Sequence, residues 1–359
     1  MELALYCPQH GYYELKKDTL GRKGDFYTSV GVGNLFGRLL AGQFAGWLTA
    51  AGGDRPQIVE AGAHDGRLAA DILGWLREWR PELYERLEYV IIEPSPNRRA
   101  WQQETLGELG TQVRWRENLP EPGGADGGFS GIIFSNELLD AFPVHRLGWD
   151  ARAQHWFEWG VTAAADGFVW ARLPGAFPVA DLAPGLMELP AELQAVLPDG
   201  YVVEVAPAAV QWWRQAALAL RAGKLLALDY GLAASELFIP ERTTGTLRAY
   251  HQHQVSADLL AQPGEQDLTA HVNFTALEIA GRNAGLAPDG LQTQAQFLTR
   301  IAAEVWRQPE QFGGWGPRET RQFQTLTHPE HLGRAFRVLV QSRIQPDSVG
   351  SNLASAGGV

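Results

Sequence analysis

Between residues 57 and 135 the chain repeats one pattern: a short, almost wholly apolar run, a turn, then apolar residues at helical spacing. Q-I-V-E-A-G (57–62) leads into a helix over 68–79, and Y-V-I-I-E-P (89–94) into a helix over 97–109. Strands over 111–117 and 131–135 (G-I-I-F-S) follow. A strand apolar on both faces must be covered on both, so this alternation predicts an α/β fold with a parallel sheet between two helical layers. A helix over 34–47, with Leu35, Leu39, Leu40, Phe44 and Trp47 on one stripe, precedes it and ends at Gly52-Gly53-Asp54.

The alternation breaks after Asp140. V-H-R-L, H-W-F-E-W-G-V and G-F-V-W-A-R-L read as antiparallel strands, with Asp166-Gly167 as a hairpin turn, and Pro-rich 174–198 reads as loop or short helix. The α/β pattern resumes with a strand over 201–205, a helix over 207–222, a strand over 225–229, a helix over 274–284 and a last strand over 336–340. The divisions expected are a covering segment 1–55, a first core half 56–143, an inserted subdomain 144–200, a second core half 201–344 with an insertion near 240–273, and a disordered Ser/Gly/Ala-rich tail 345–359. The first 35 residues show little periodicity, and no internal repeat is visible.

Composition removes several function classes. Lys plus Arg number 30 against 41 Asp plus Glu, a net charge of −11, which disfavours nucleic-acid backbone as a partner. A lone cysteine, Cys7, permits neither an internal disulfide nor a Cys-rich zinc site. The nine His lack metal-ligand spacing, so no catalytic metal is expected. No apolar run approaches the roughly 20 residues of a membrane helix, and the N-terminus lacks signal-peptide features, so no membrane partner and a cytoplasmic location are expected. Thirteen Trp are read as core and interface packing.

Three strand ends carry polar groups where an open α/β sheet binds ligands. Glu60-Ala61-Gly62-Ala63-His64-Asp65-Gly66 joins a strand to a helix, but it is neither a phosphate loop nor a dinucleotide fingerprint, since His64 and Arg67 fill the second and third Gly positions. An acid before a Gly-rich turn suits S-adenosyl-L-methionine, with Glu60 near its amino group and Gly62 and Gly66 giving close backbone approach. Glu93 could accept both ribose hydroxyls, and Glu117-Asn118 lies where adenine contacts arise. After the fourth strand, Asn136-Glu137-Leu138-Leu139-Asp140 places Glu137 and Asp140 three apart. A helical turn would set both on one face, able to bind a guanidinium and accept its proton. The plain alternatives are a ligand-free strand–helix turn and an acid pair favoured by a helix N-terminus. Gly31-Val32-Gly33-Asn34-Leu35-Phe36-Gly37 resembles a nucleotide loop, yet no strand precedes it.

Taken in order, L-A-L-Y-C-P-Q-H-G-Y-Y (3–13), G-D-F-Y-T-S (24–29), N-L-F-G (34–37), E-A-G-A-H-D-G-R-L (60–68), I-E-P-S-P (92–96), N-E-L-L-D-A-F-P-V (136–144), E-V-A-P-A (204–208), L-D-Y-G (228–231), G-T-L-R-A-Y (245–250) and D-L-T-A-H-V-N-F (267–274) resemble the MidA family of class I S-adenosyl-L-methionine-dependent methyltransferases. That family includes a mitochondrial complex I assembly factor that methylates an arginine of a complex I subunit. The resemblance implies a Rossmann-like seven-stranded core with inserted antiparallel strands and helices on the substrate side. It places Gly24, Asp25 and Phe26 beside the cofactor with Glu60, Gly62, Glu93, Asn136 and Glu137, and implies a protein arginine as methyl acceptor. Glu137 and Asp140 are then the catalytic candidates, and a homodimer stays open. His64 stands where the family has Gly, and Val30-Gly31 where it often has Pro-Glu. These departures keep two alternatives in view: a methyltransferase-fold assembly factor without turnover, and a small-molecule methyltransferase. The chain also starts within the family's usual first helix, implying a longer natural N-terminus.

Overall fold

The computed structural model describes residues 1–15, 28–121, 128–182, 189–251, 254–256 and 258–344. Gly24, Asp25, Phe26 and the tail 345–359 lie outside them. The strands of the first half are β1 (Gln57–Ala61), β2 (Glu88–Ile92), β3 (Val113–Arg116), β4 (Phe129–Asn136), β5 (His145–Asp150), β6 (His155–Ala164) and β7 (Gly167–Arg172). Those of the second are β8 (Val202–Val205), β9 (Leu220–Leu232), β10 (Arg248–His251), β11 (Gln254–Ser256), β12 (Asp267–Thr269), β13 (Val272–Asn273), β14 (Ala287–Thr293) and β15 (Phe336–Arg343).

The main sheet runs β3-β2-β1-β4-β9-β15-β14, with the short β13 attached to β9. β1 to β4 and β9 are parallel, and β15 is antiparallel to both its neighbours. This is the expected seven-stranded Rossmann-like α/β core. Its strands feed two cores by alternation. Ile58, Tyr89, Ile91, Ile132, Phe134, Leu226, Leu228, Val338 and Val340 pack with the helices Leu35–Ala51, Arg67–Trp79 and Gln294–Arg307. Their neighbours Val59, Val90, Ile133, Leu225, Ala227 and Leu339 pack on the opposite face with Pro207–Ala219 and Phe274–Asn283. A period of two with both faces apolar is the pattern read between 57 and 135. Helix starts are fixed locally. Ser95 caps Pro96–Leu106 by accepting the Arg98 amide, and Asn273 caps Phe274–Asn283 through the Ala276 amide.

The chain winds β1-β2-β3 outward, then returns to place β4 on the other side of β1. That switch point opens a crevice at the carboxyl ends of β1 and β4. Between β4 and β9 the chain makes a separate antiparallel sheet, β7-β6-β5-β8. The strand expected to resume the α/β pattern at 201–205 exists but pairs with β5, so it belongs to this insertion. The hairpin turn is Ala165-Asp166, with Ala164 paired to Gly167, one residue earlier than the sequence suggests. The helix expected to reach 222 stops at Ala219, because Leu220 already pairs with Phe129 of β4. The first residues form short helices, Glu2–Tyr6 and Tyr12–Leu15, whose Leu5 and Tyr12 make a small core with Ala249 and Leu268 of the β11-β10-β12 sheet. The Gly31–Gly37 stretch is packed by protein: Gln322 fills the space beside Gly33 and accepts the Leu35 amide. Buried Trp75 and Trp213 donate to Phe312 O and Gln341 Oε1, in keeping with packing roles. Among the described residues no helix is long and apolar enough to cross a membrane.

Close approach of the central strands depends on one glycine pair. Gly131 and Gly223 face each other across β4 and β9, both at positive φ (139° and 118°). A Cβ on Gly223 would collide with the Gly131 carbonyl. Gly223→Ala should therefore cost about 2–4 kcal/mol by strain plus displacement of β9, read as a lower denaturation midpoint in urea.

Candidate functional site

The crevice is a cleft of about 820 Å³. Gly62 and His64 from the loop after β1, Glu93 after β2, Glu117 and Asn118 after β3, and Glu137 after β4 all line it. Tyr6, Tyr13 and Glu14 of the N-terminal segment close one side, and Trp212 and Gln215 of Pro207–Ala219 another. A second, smaller pocket of about 80 Å³ shares Tyr13, Gly62, His64 and Glu137 with the cleft. Its wall adds Glu60, Asn136, Asp140 and Asp267. No Lys or Arg is among the described residues lining it. Among the described residues, no group of three or more His, Cys, Asp or Glu is arranged to hold a metal ion.

The loop after β1 turns through left-handed backbone at Gly62, His64 and Gly66, with φ 78°, 47° and 88°. His64 thus occupies a conformation that favours glycine, which accounts physically for the glycine of the resemblance. Gly66 lines neither cavity among the described residues; it caps Arg67–Trp79 and lies against Gln102.

Glu93 is buried and held from several sides. Its Oε1 accepts the Ser95 amide at 2.9 Å and Arg98 Nε at 2.9 Å, and its Oε2 accepts Gln102 Nε2 at 3.2 Å. Arg98 also meets Glu14 at 3.1 Å, tying the N-terminal segment to the end of β2. Glu117 and Asn118 sit exposed on the cleft rim, with Glu117 3.7 Å from Arg99.

The segment after β4 differs from the helical turn expected. Glu137 has φ 52°, and only Leu139–Ala141 forms a short 3₁₀ turn before Phe142-Pro143. A helix-dipole account of the two acids has no helix to act through. What shapes the turn is Asp229 in the last part of β9, whose Oδ2 accepts the amides of Leu138 (3.1 Å) and Leu139 (2.8 Å) and whose Oδ1 accepts that of Tyr230 (2.8 Å). The turn still directs both acids to the small pocket. Glu137 Oε1 accepts the Ser29 amide at 3.2 Å and Asn136 Nδ2 at 3.1 Å.

Burial acts on these carboxyls together. Desolvation, then the charge of Asp229, pushes Glu137 up to about 8. Desolvation raises Glu60 to about 7 against the opposing hydrogen bond from Tyr89, 2.6 Å away. Asp140 and Asp229 both move upward, first through burial. Asp267 accepts from Tyr13 at 2.8 Å. Asp229, Asp267, Tyr6, Tyr13 and Glu14 are site residues that the sequence reading assigns no role. Asp229 and Asp267 stand inside the L-D-Y-G and D-L-T-A-H-V-N-F segments, so a signal existed, but nothing local shows which ends of the sheet they share.

The donor set fits S-adenosyl-L-methionine. Asn136 Oδ1 is buried with no hydrogen-bond partner among the described residues, at a wall shared with Glu60 and Glu137. A cofactor ammonium would satisfy that acceptor, and the cleft continues past Glu93 to Glu117, Asn118 and Trp212 with length for ribose and adenine.

Comparisons with known proteins agree with this geometry. The family model described as "Putative S-adenosyl-L-methionine-dependent methyltransferase" matches residues 39–292. A solved structure of a COG1565 superfamily member from Burkholderia thailandensis, bound to S-adenosyl-homocysteine, is 34% identical with a TM-score of 0.80, covering 95% of this chain and 86% of that one. The Drosophila melanogaster protein named protein arginine methyltransferase NDUFAF7 homolog, mitochondrial, is 28% identical over 94% of this chain and 79% of its own length. The Mus musculus protein arginine methyltransferase NDUFAF7, mitochondrial, is 27% identical over 94% and 78%.

Glu60 generates a pH-dependent expectation. Its carboxyl titrates higher folded than unfolded, so from the ordinary carboxylate range up to about 7 the unfolded chain has lost a proton that the folded chain keeps. Stability from this group therefore falls as pH rises through that window and stays low above it. Glu60→Gln should match the parent in stability near pH ~4 and exceed it by about 2–3 kcal/mol near pH ~8, measured by urea unfolding of the ligand-free protein.

Proposed function

The chain belongs to the MidA family of S-adenosyl-L-methionine-dependent methyltransferases, and on that premise we propose that it methylates an arginine side chain of a protein, of the respiratory complex I type. The observation that carries this reading is the small acidic pocket opening beside the cleft. Beyond the Glu60–Asn136 wall that suits the cofactor ammonium, Glu137, Asp140 and Asp267 line it, with no Lys or Arg among the described lining residues. A guanidinium supplies a delocalised charge and five donors to such a set. A volume of about 80 Å³ suits a side-chain tip more than a whole metabolite, which favours a protein acceptor over a free small molecule.

When bound, S-adenosyl-L-methionine supplies an electrophilic methyl on a sulfonium. The residues of this chain supply alignment and charge. Glu137 lies on the wall common to cleft and pocket, where an acceptor nitrogen and the cofactor meet. A guanidinium beside it favours its ionised form, and as an anion it draws the guanidinium charge toward one nitrogen, leaves a lone pair more available on another, and takes the proton that the methylated nitrogen gives up. Its fixed turn and its bonds from Ser29 and Asn136 hold it ready, so little reorganisation accompanies the reaction. Holding both partners in line contributes roughly 7–11 kcal/mol in well-oriented systems. The assembly-factor alternative shares the fold but has no use for this preorganised carboxylate.

The test is purified protein with methyl-tritiated S-adenosyl-L-methionine and lysate from cells lacking it, followed by amino-acid analysis of labelled bands. Label in methylarginine is expected; absence of protein label, or label confined to small molecules, overturns the reading. Two variants separate the roles. Glu137→Gln should keep cofactor affinity within a few-fold while turnover drops ~10²–10⁴-fold. Glu93→Ala should weaken cofactor binding by about 1.5–3 kcal/mol in calorimetry; unchanged affinity would remove Glu93 from the ribose site.

A further inference from the structure

Asp140 and Asp229 are both buried, at 5% and 0% exposure, and their side chains are hydrogen-bonded to each other. Two ionised carboxylates hold only acceptors, so such a contact needs one proton between them. The surroundings say which acid keeps it. Asp229 accepts the amides of Leu138, Leu139 and Tyr230. Three backbone donors favour its ionised form. Asp140 has no comparable cage and faces the negative ends of Asp229, Glu137 and Asp267.

No described cation relieves this pair. Arg337 is the ladder partner of Asp229 on β15, but its guanidinium turns to Glu236, 3.1 Å away, and to the Arg334 carbonyl. Arg98 is engaged by Glu93 and Glu14, and Arg248 by the carbonyls of Leu247 and Gly245. The remaining titratable neighbours are tyrosines: Tyr6 and Tyr13 from the N-terminal segment, Tyr230 from β9 and Tyr250 from β10. Burial raises all four, which keeps them neutral.

We infer that Asp229 is a positioning residue for the acceptor site: it clamps the Glu137–Asp140 turn and holds Asp140 as a neutral acid that donates to it. This deepens the arginine reading and rests on it for its functional meaning. Without a bound cation Asp140 adds a hydrogen-bonding group and no charge, leaving Glu137 as the acid nearest the cleft. A guanidinium entering the pocket supplies the counter-charge that the pair lacks. Asp140 then ionises, its proton passing to solvent, and acceptor binding tightens as pH rises.

The test needs neither substrate nor turnover, so its failure is distinct from failure of the arginine reading. Aspartate carboxyl carbons are labelled with ¹³C in the ligand-free full chain and titrated by NMR. In the parent protein the Asp140–Asp229 pair should titrate in two steps, the upper one above the ordinary carboxylate range. In Asp229→Asn the Asp140 step should fall by about one pH unit or more. Asp140→Asn leaves the amide cage intact and guards against a misfolded first variant; there the Asp229 step should fall likewise. An Asp140 resonance titrating with ordinary carboxylates in the parent overturns the inference, as does an Asp229 step unmoved in Asp140→Asn.

Discussion

The amides of Leu138 and Leu139 converge on one carboxylate, that of Asp229, and the small acidic pocket beside the cleft hangs from this clamp. Glu137 is held in left-handed backbone, a conformation that costs about 1–3 kcal/mol for a residue with a side chain. Left alone, the segment would relax and carry both acids away from the pocket. The buried carboxylate within β9 offsets that strain by satisfying donors that would otherwise be stranded inside the protein. Two neighbouring parallel strands thus lock each other's ends, β4 presenting the turn and β9 the clamp.

The Glu93 side of the cleft is built by a different device. Glu93 follows β2, and Arg98 reaches from the following helix to bridge it to Glu14. Ser95 adds a second link, donating to Glu14 while capping the same helix. Tyr6 and Tyr13 of the same N-terminal segment reach the other side, donating to the Ala141 carbonyl and to Asp267. One small unit of fifteen residues and a three-stranded sheet therefore touches both halves of the site. The insertion β5–β8 instead has its own core, around Trp149, Trp156, Tyr201 and Phe238.

Much of this was legible in the chain because strand burial leaves a direct trace. Runs such as I-V-E-A and V-I-I-E are apolar on both faces, and the acids that end them stand out against that background. Glu60, Gly62, Glu93, Asn136, Glu137 and Asp140 consequently all fall on the cavity walls. Where local pattern and tertiary pairing compete, the reading slips. Tyr201–Val205 looks like a core strand, but only the partner β5 decides its sheet. β14 was not read at all, since A-P-D-G-L-Q-T carries Pro288 and Gly290 within a bulged edge pairing. Asp229 was visible as the last residue of a strand, yet its role depends on amides contributed from β4, which sequence spacing cannot bring near.

The insertion between β4 and β9 sets an order of events. β4 leaves the ribosome long before β9, and the whole β5–β8 sheet is made in between. Until Leu228 can pair beside Asn136, the 137–140 turn has neither its clamp nor its neighbouring strand. Distant pairings form late because loop closure precedes their reward. The 137–140 turn therefore takes its shape only once β9 has been made. A nascent chain halted within the insertion would carry both acids of the turn, but not the strand end that gives them a geometry.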